Sequence, residues 1–167
     1  RHGIVLVPED RKMQGILANL DVCDNIHVSM LEQHSNRRKE LEAADKGIRD
    51  FRIRTPSPHK KIVELSGGNQ QKCIVARWLG TNPRVLILDE PTKGIDVGAK
   101  SEFYKLIREY AQRGMAIVLI SSELPEIIGL SDRIIVMREG RITGEVARAD
   151  ATEEVLLNYA MLGGVAQ

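Results

Sequence analysis

Val85-Leu86-Ile87-Leu88 is an unbroken apolar run, closed in front by Asn82-Pro83-Arg84 and behind by Asp89-Glu90-Pro91. A run this short reads as a strand. Because it is apolar at every position rather than at alternate ones, it needs cover on both faces, as in a parallel sheet whose crossovers are helices. The flanking chain agrees. Helical patterns over about 68–79 and 97–112 stand on either side, then come a second apolar run (Met115 to Ser121), a short helix at 123–130 and a strand from Asp132. Strand and helix taking turns marks an α/β fold with a parallel sheet covered by helices. The 167 residues suffice for one domain with its own core.

Other segments complete the outline. Gly3 to Asp10 (GIVLVPED) reads as a buried strand running into a loop at Pro8. From Asp21 to about Phe51 the pattern turns helical. Asp24 is placed to cap NIHVSMLEQ, and NRRKELEAADKGIRDF spaces its charges for i,i+4 pairs around Leu41, Ala44, Ile48 and Phe51. Pro56 and Pro58 then break any helix. This gives a helical insert over about 17–57, set into a core made of 1–16 and 58–167. Near the end, RIIVMREGRITGEV reads as a hairpin turning at Glu139-Gly140. TEEVLLNYAML reads as a closing helix, with Thr152 as its cap and Gly163 past its end.

Composition narrows the function. The net charge is +1 and aromatics make up 4%, so neither a basic face nor a base-stacking platform stands out, and nucleic acid is not an expected partner. Cys23 and Cys73 lie far apart without CxxC spacing, which fits two reduced, buried thiols rather than a disulfide. The longest apolar runs fall well short of the roughly 18 residues needed to span a bilayer. His2, His27, His34 and His59 show no close metal spacing, Trp78 reads as a core residue with Ile74, and His59 to Lys61 as a solvated loop.

Two stretches carry chemistry. The strand ending on Asp89 and Glu90 sets two carboxylates at its carboxyl end, where open α/β sheets place their ligands. Such a pair suits metal-assisted phosphoryl transfer, one acid serving the ion and the other polarising a water. LSGGNQQK (Leu65 to Lys72) sets a hydroxyl and two glycines at the start of a helix, where main-chain N–H groups and the helix dipole favour an anion. Alone, the first is also a plain strand end and the second a good helix start. Their order and spacing make the combination specific.

LSGGNQQK ahead of LILDEPTKGID resembles the ATP-binding-cassette family, the first stretch looking like its signature and the second like its Walker B strand and D-loop. The resemblance runs over the whole chain and implies the P-loop NTPase fold of that family, with a helical subdomain and a terminal hairpin and helix. It implies that Ser66, Gly67, Gly68 and Asn69 contact the γ-phosphate of ATP, that Asp89 serves Mg²⁺ through water, that Glu90 is the general base, and that Asp96 lies in the D-loop. PEDRK (Pro8 to Lys12), GIDVGAK and ISSELPEI narrow the likeness to the carboxy-terminal cassette of tandem ATPases driving bacterial monosaccharide importers of the ribose, xylose and galactose kind. The implied partners are a first cassette on the same polypeptide, a transmembrane permease received by the helical insert and the loop around Glu9, and, indirectly, a periplasmic sugar-binding protein. The implied location is the cytoplasmic face of the inner membrane, held peripherally.

The pattern departs in places. No G-x-x-x-x-G-K-[ST] loop precedes Walker B. GIDVGAKS (Gly94 to Ser101) has Ala99 where the second glycine belongs and reads as a helix start, so the nucleotide-gripping Walker A is expected upstream of Arg1. The isolated chain is then expected to be inactive and to self-associate through exposed strand edges. Glu9 stands at the Q-loop glutamine, Asn69 at the last signature position, and Ser122 at the switch histidine. These substitutions predict that this cassette's own site is slow, and that its signature matters more to transport than Glu90 does. They leave open a silent cassette that only lends its signature to a partner.

Overall fold

The computed structural model describes residues 2–31 and 36–162, which form two compact units, 1–118 and 119–167. In chain order the first unit contains β1 (Ile4–Val7), α1 (Val22–His27), α2 (Arg37–Asp50), α3 (Gly67–Leu79), β2 (Val85–Asp89) and α4 (Val97–Gln112). The boundary between units falls within β3 (Ala116–Ile120). The strands form one sheet in the order β1-β2-β3, with β1 parallel to β2 from Ile4 opposite Val85 to Val7 opposite Leu88.

Burial follows the alternation of the strands. Val7 and Leu88 are fully buried, and Leu86 and Leu88 pack among Val75 and Leu79 of α3 and Phe103, Leu106 and Ile107 of α4. The opposite face of β1 is open, with Ile4 58% and Leu6 49% exposed. Asp89 thus leaves the sheet at the end of a strand whose inner residues are locked by two helices, which fixes the starting point of the loop that follows.

The helical stretch from Leu20 to Ile62 is laced at its ends. Val22 N–H donates to Lys60 O (3.0 Å), Cys23 N–H to Pro58 O (2.8 Å) and Ile62 N–H to Leu20 O (3.3 Å). These bonds pin the chain in extended form at Asp21, which is why the cap of α1 is Asp21 and not Asp24. The Asp21 carboxylate accepts the Asp24 N–H at 2.8 Å, and Asp24 sits inside the first turn. Helix α2 matches its expected bounds, with Asn36 accepting the Lys39 N–H and Arg38 paired to Glu42 at 3.0 Å. It buries Ala44 and Gly47, and Phe51 just past its end is buried as well. His27 is buried in α1, and His34 lies outside the described residues. The acidic pair Asp21 and Asp24 beside Cys23 is engaged by Arg37, 2.7 Å from Asp24 and 3.7 Å from Asp21.

A buried arginine of α3 ties that helix to α1 and to Gly15. Arg77, 6% exposed, donates from Nε to Asn25 O (2.5 Å), from Nη1 to Gly15 O (2.7 Å) and from Nη2 to Asn25 Oδ1 (2.8 Å). Asn25, fully buried, accepts the Leu17 N–H and donates to the carbonyls of Leu17 and Asp21. Trp78, the next residue, shares a face of α3 with Ile74 one turn earlier but lies near the end of the helix and is half-buried rather than enclosed.

The second unit holds α5 (Leu124–Leu130), β4 (Arg133–Arg138), β5 (Arg141–Ala147) and α6 (Glu153–Leu162). Strand β4 continues the strand and helix alternation of the sequence, yet it pairs antiparallel with β5 in a separate two-stranded sheet. Glu139 (φ 51°) and Gly140 (φ 76°) both take the left-handed conformation that a two-residue hairpin turn needs. Ile134, Val146 and Leu156 form the core of this unit, with Leu124 and Ile127 of α5 against them. Thr152 Oγ1 accepts the Val155 N–H at 3.2 Å as the expected cap, while Gly163 lies outside the described residues.

Candidate functional site

Ser66 precedes α3 in extended conformation, and its carbonyl accepts the Gln70 N–H at 2.9 Å. Its hydroxyl makes no cap bond to its own helix. Instead Oγ accepts from Asn69 Nδ2 at 2.9 Å, so the hydroxyl proton is left to donate outward, beside the unpaired first-turn N–H groups of α3. Asn69 Oδ1 accepts the Arg54 N–H at 2.9 Å. The amide of Asn69 is therefore spent on orienting Ser66 and on holding the chain at Arg54.

Both signature glycines are fixed by close approach. A Cβ on Gly68 would lie 2.6 Å from Ala99 Cβ of α4, and one on Gly67 would lie 2.7 Å from Arg11 Nη2. Helix α4 thus packs against α3 where a side chain would separate them. Ser66, Gly68 and Asn69 line a cleft of about 150 Å³ together with Asp96, Arg54, Lys72 and Glu102. Lys72 is buried and donates to Glu102 Oε2 at 2.5 Å and to Arg52 O at 3.3 Å, and Arg54 reaches Glu102 Oε1 at 2.7 Å. The hydrogen bond from Lys72 holds the Glu102 carboxyl below the usual carboxylate range.

The loop after β2 carries the other acids. Glu90 has φ 42°, a left-handed backbone at a non-glycine residue of the kind that stores strain at working sites. Its carbonyl accepts the Lys93 N–H (3.1 Å), and Thr92 O accepts the Ile95 N–H (3.2 Å), so 90–95 is two overlapping turns. Asp96 caps α4 by accepting the Ala99 N–H at 2.9 Å. GIDVGAKS is accordingly a helix start, as its missing glycine implied. Asp89 and Glu90 are half-buried carboxylates, hard oxygen donors of the type Mg²⁺ takes, and the donor chemistry fits that ion.

Glu9 lies in the turn after β1, where its Oε1 accepts from Lys93 Nζ at 2.5 Å. The following π-helical turn, Arg11–Gly15, is capped by the Asp10 carboxylate, which accepts the N–H of Lys12 and of Met13 at 3.0 Å each. Arg11 extends to the loop after β2, donating to Lys93 O (2.8 Å) and Gly94 O (3.2 Å). The first unit therefore brings Glu9 to the loop of Asp89, Glu90 and Asp96, and Asp96 to Ser66, Gly67, Gly68 and Asn69. Ser122 belongs to the second unit, ahead of α5, next to Ser121, whose hydroxyl donates to the buried Glu126 at 2.5 Å.

Arg11, Lys93, Lys72 and Glu102 escaped the sequence reading. Arg11, Lys72 and Lys93 sit inside the quoted motifs, and partners 30 to 84 positions away leave no local spacing to read.

The family model for ABC transporters matches residues 1–93. This chain belongs to the ABC transporter family. Among curated proteins it is 56% identical over 168 residues to the arabinose import ATP-binding protein AraG of Paraburkholderia xenovorans, a match covering 96% of this chain and 33% of that protein. It is 55% identical over 172 residues to AraG 1 of Burkholderia thailandensis, covering 98% and 34%. The chain thus spans about a third of the length of the curated relatives it matches. Among solved structures, cbiO1 from Clostridium perfringens, part of the ABC transporter complex cbiONQ, aligns with a TM-score of 0.77 at 24% identity, covering 98% of this chain and 66% of that one. The dimeric, post-hydrolysis ATP-binding cassette MJ0796, bound to ADP and Pi, aligns at 0.74 with 18% identity over 87% and 64%. Both have the cassette fold, and so does this ABC chain.

Proposed function

We propose that this chain is the carboxy-terminal cassette segment of a tandem ATPase that drives import of a monosaccharide through a membrane permease, arabinose being the sugar named in its relatives. The carrying observation is Ser66, set at the start of α3 with Asn69 turning its hydroxyl outward beside the D-loop cap Asp96. That arrangement recognises a terminal phosphate presented by a second cassette, through the Ser66 hydroxyl and the first N–H groups of α3. On this reading ATP is the substrate, Ser66, Gly67, Gly68 and Asn69 complete the site of the partner cassette, and Asp89 and Glu90 serve this cassette's own.

Asp89 would hold Mg²⁺ through water, and the ion supplies positive charge against the phosphate oxygens. Glu90, one residue beyond the strand, is aimed by its strained backbone and acts as the base that polarises the attacking water. Glu9 and Ser122 take the Q-loop and switch positions. The division of residues into a core of 1–16 and 58–167 and a helical subdomain of about 17–57, the contact of that subdomain with the permease, and a peripheral place on the cytoplasmic face of the inner membrane are parts of the same proposal.

The test is ATP-driven sugar uptake by the complete ATPase with its permease in vesicles. Ser66→Arg fills the phosphate site of the partner cassette with a long side chain and is expected to stop both uptake and hydrolysis. Glu90→Gln is expected to leave much of each, because the substitutions at positions 9 and 122 leave this cassette's own site slow. Equal losses would sink the assignment of unequal roles, and uptake by both variants would sink the signature reading itself.

A further inference from the structure

One face of α2 carries almost nothing that packs. The residues it turns toward α3 and α4 are Lys39, Ala43, Lys46, Gly47 and Asp50, which recur at about one-turn spacing and form a single stripe. A helix seated on a core carries large apolar side chains along such a stripe, whereas this one carries charges and two residues with next to no side chain. The end of α3 answers with Ala76, and Gly80 follows it. Close approach occurs where side chains are smallest: a Cβ on Gly47 would lie 3.6 Å from Ala76 Cβ, and one on Gly80 would lie 2.6 Å from Met30 Sδ.

Beside that contact a hollow of about 720 Å³ remains between α2 and the ends of α3 and α4, the size of a small-molecule site. Its floor is apolar, made by the buried Ile26, Met30 and Phe51. Phe51 stacks on Tyr110 with ring centroids 5.6 Å apart and planes 3° from parallel, and the Arg113 guanidinium stands 5.1 Å from the Tyr110 ring. The rim is cationic. Lys39, Lys46 and Arg113 share it with Glu42 and Asp50, but Glu42 is already held by Arg38 at 3.0 Å. Among the described residues, none of the three cations has a carboxylate partner.

We propose that this hollow binds a small amphipathic anion, with a flat apolar body of one or two rings against Met30, Phe51 and Tyr110 and a carboxylate or sulfonate group between Lys39, Lys46 and Arg113. Burial of the rings supplies affinity, and the cations select for charge. The signature cleft lies at the opposite end of α3, about 18 Å away along the helix axis, so this is a second site and stands apart from the ATPase reading.

The probe is anilinonaphthalene sulfonate, titrated by fluorescence into the complete ATPase, and the comparator is uncharged anilinonaphthalene, the same body without the sulfonate. Two variants are compared with wild type. Ala43→Phe places a ring in the hollow and is expected to abolish saturable binding of the sulfonate with the urea midpoint unchanged. Lys39→Ala combined with Lys46→Ala removes exposed cations without touching the core, and is expected to weaken the sulfonate about tenfold while the uncharged compound stays within about twofold. Should Ala43→Phe fail to fold, the lysine variant decides alone. No saturable binding of the sulfonate by wild type overturns the site. Equal sulfonate affinity in wild type and the lysine variant also overturns it, since the dye then sits elsewhere, as on the open face of β1.

Discussion

Arg77 and Arg11 both spend their guanidinium groups on main-chain carbonyls of the first unit, and they differ in nearly everything else. Arg77 is 6% exposed and reaches three acceptors, on Asn25 and Gly15, all fixed by an asparagine that is itself fully buried. Desolvation lowers its pKa, so its charge is retained through bonds rather than through water. Arg11 is half-buried, its acceptors lie in a loop of tight turns, and its neighbour Lys93 is largely in solvent. Burial with full satisfaction makes a rigid joint, whereas a cation on an exposed loop makes one that can be worked. The α3 helix therefore has a fixed end near α1 and an adjustable end at the signature.

The comparison is broken most forcefully at the rigid end. Arg77→Leu leaves buried acceptors on Gly15 and Asn25 without a donor and is expected to cost about 3–5 kcal/mol in urea unfolding of the complete protein. Arg11→Lys should cost under about 1 kcal/mol by the same measurement, since its acceptors can turn to water. Comparable losses would erase the distinction drawn between the two arginines.

Gly68→Ala probes the junction from the other side. Its methyl would meet Ala99 Cβ at 2.6 Å, forcing α3 and α4 apart for about 1–3 kcal/mol and moving Ser66 away from Asp96. Hydrolysis should fall by more than stability does. A variant as active as wild type would show that the close approach of the helices is not needed for the site.

The smallest effect concerns the thiols. Burial pushes Cys73 from its ordinary 9.0 up to about 12, and desolvation raises Cys23 to about 11. A raised thiol pKa keeps the folded state protonated while the unfolded state ionises, so the stability linked to Cys73 is whole below pH 9 and declines as pH rises toward 12. Alkylation of the native protein at pH 8 should be slow at both residues, and rapid modification of Cys73 would mean that α3 opens where Arg77 is taken to lock it.

Much of this was legible because the relevant signals were local. The apolar run 85–88, the helix bounds of α2 and α4, the Glu139-Gly140 turn and the Thr152 cap are all written in residues within one turn of each other. The sequence pattern points to Asp24 as the cap of α1 where Asp21 holds the place, since both are good caps, and the choice is made by backbone bonds to Lys60 and Pro58, nearly forty residues away. The site behaved likewise. The place of Ser66, Gly67 and Gly68 at the start of a helix was readable from their residue types, but the commitment of Asn69 to Ser66 and Arg54, and the pairing of Glu9 with Lys93, depend on contacts no local pattern encodes.

The central claim is that the signature cleft of this chain, more than its own acids, carries the ATPase function. Its most direct measurement is the steady-state ATP hydrolysis rate of the complete protein bearing Ser66→Arg, set beside Glu90→Gln. The account predicts at least about a tenfold loss for Ser66→Arg and a clearly smaller one for Glu90→Gln. A Glu90→Gln protein as dead as Ser66→Arg would contradict it.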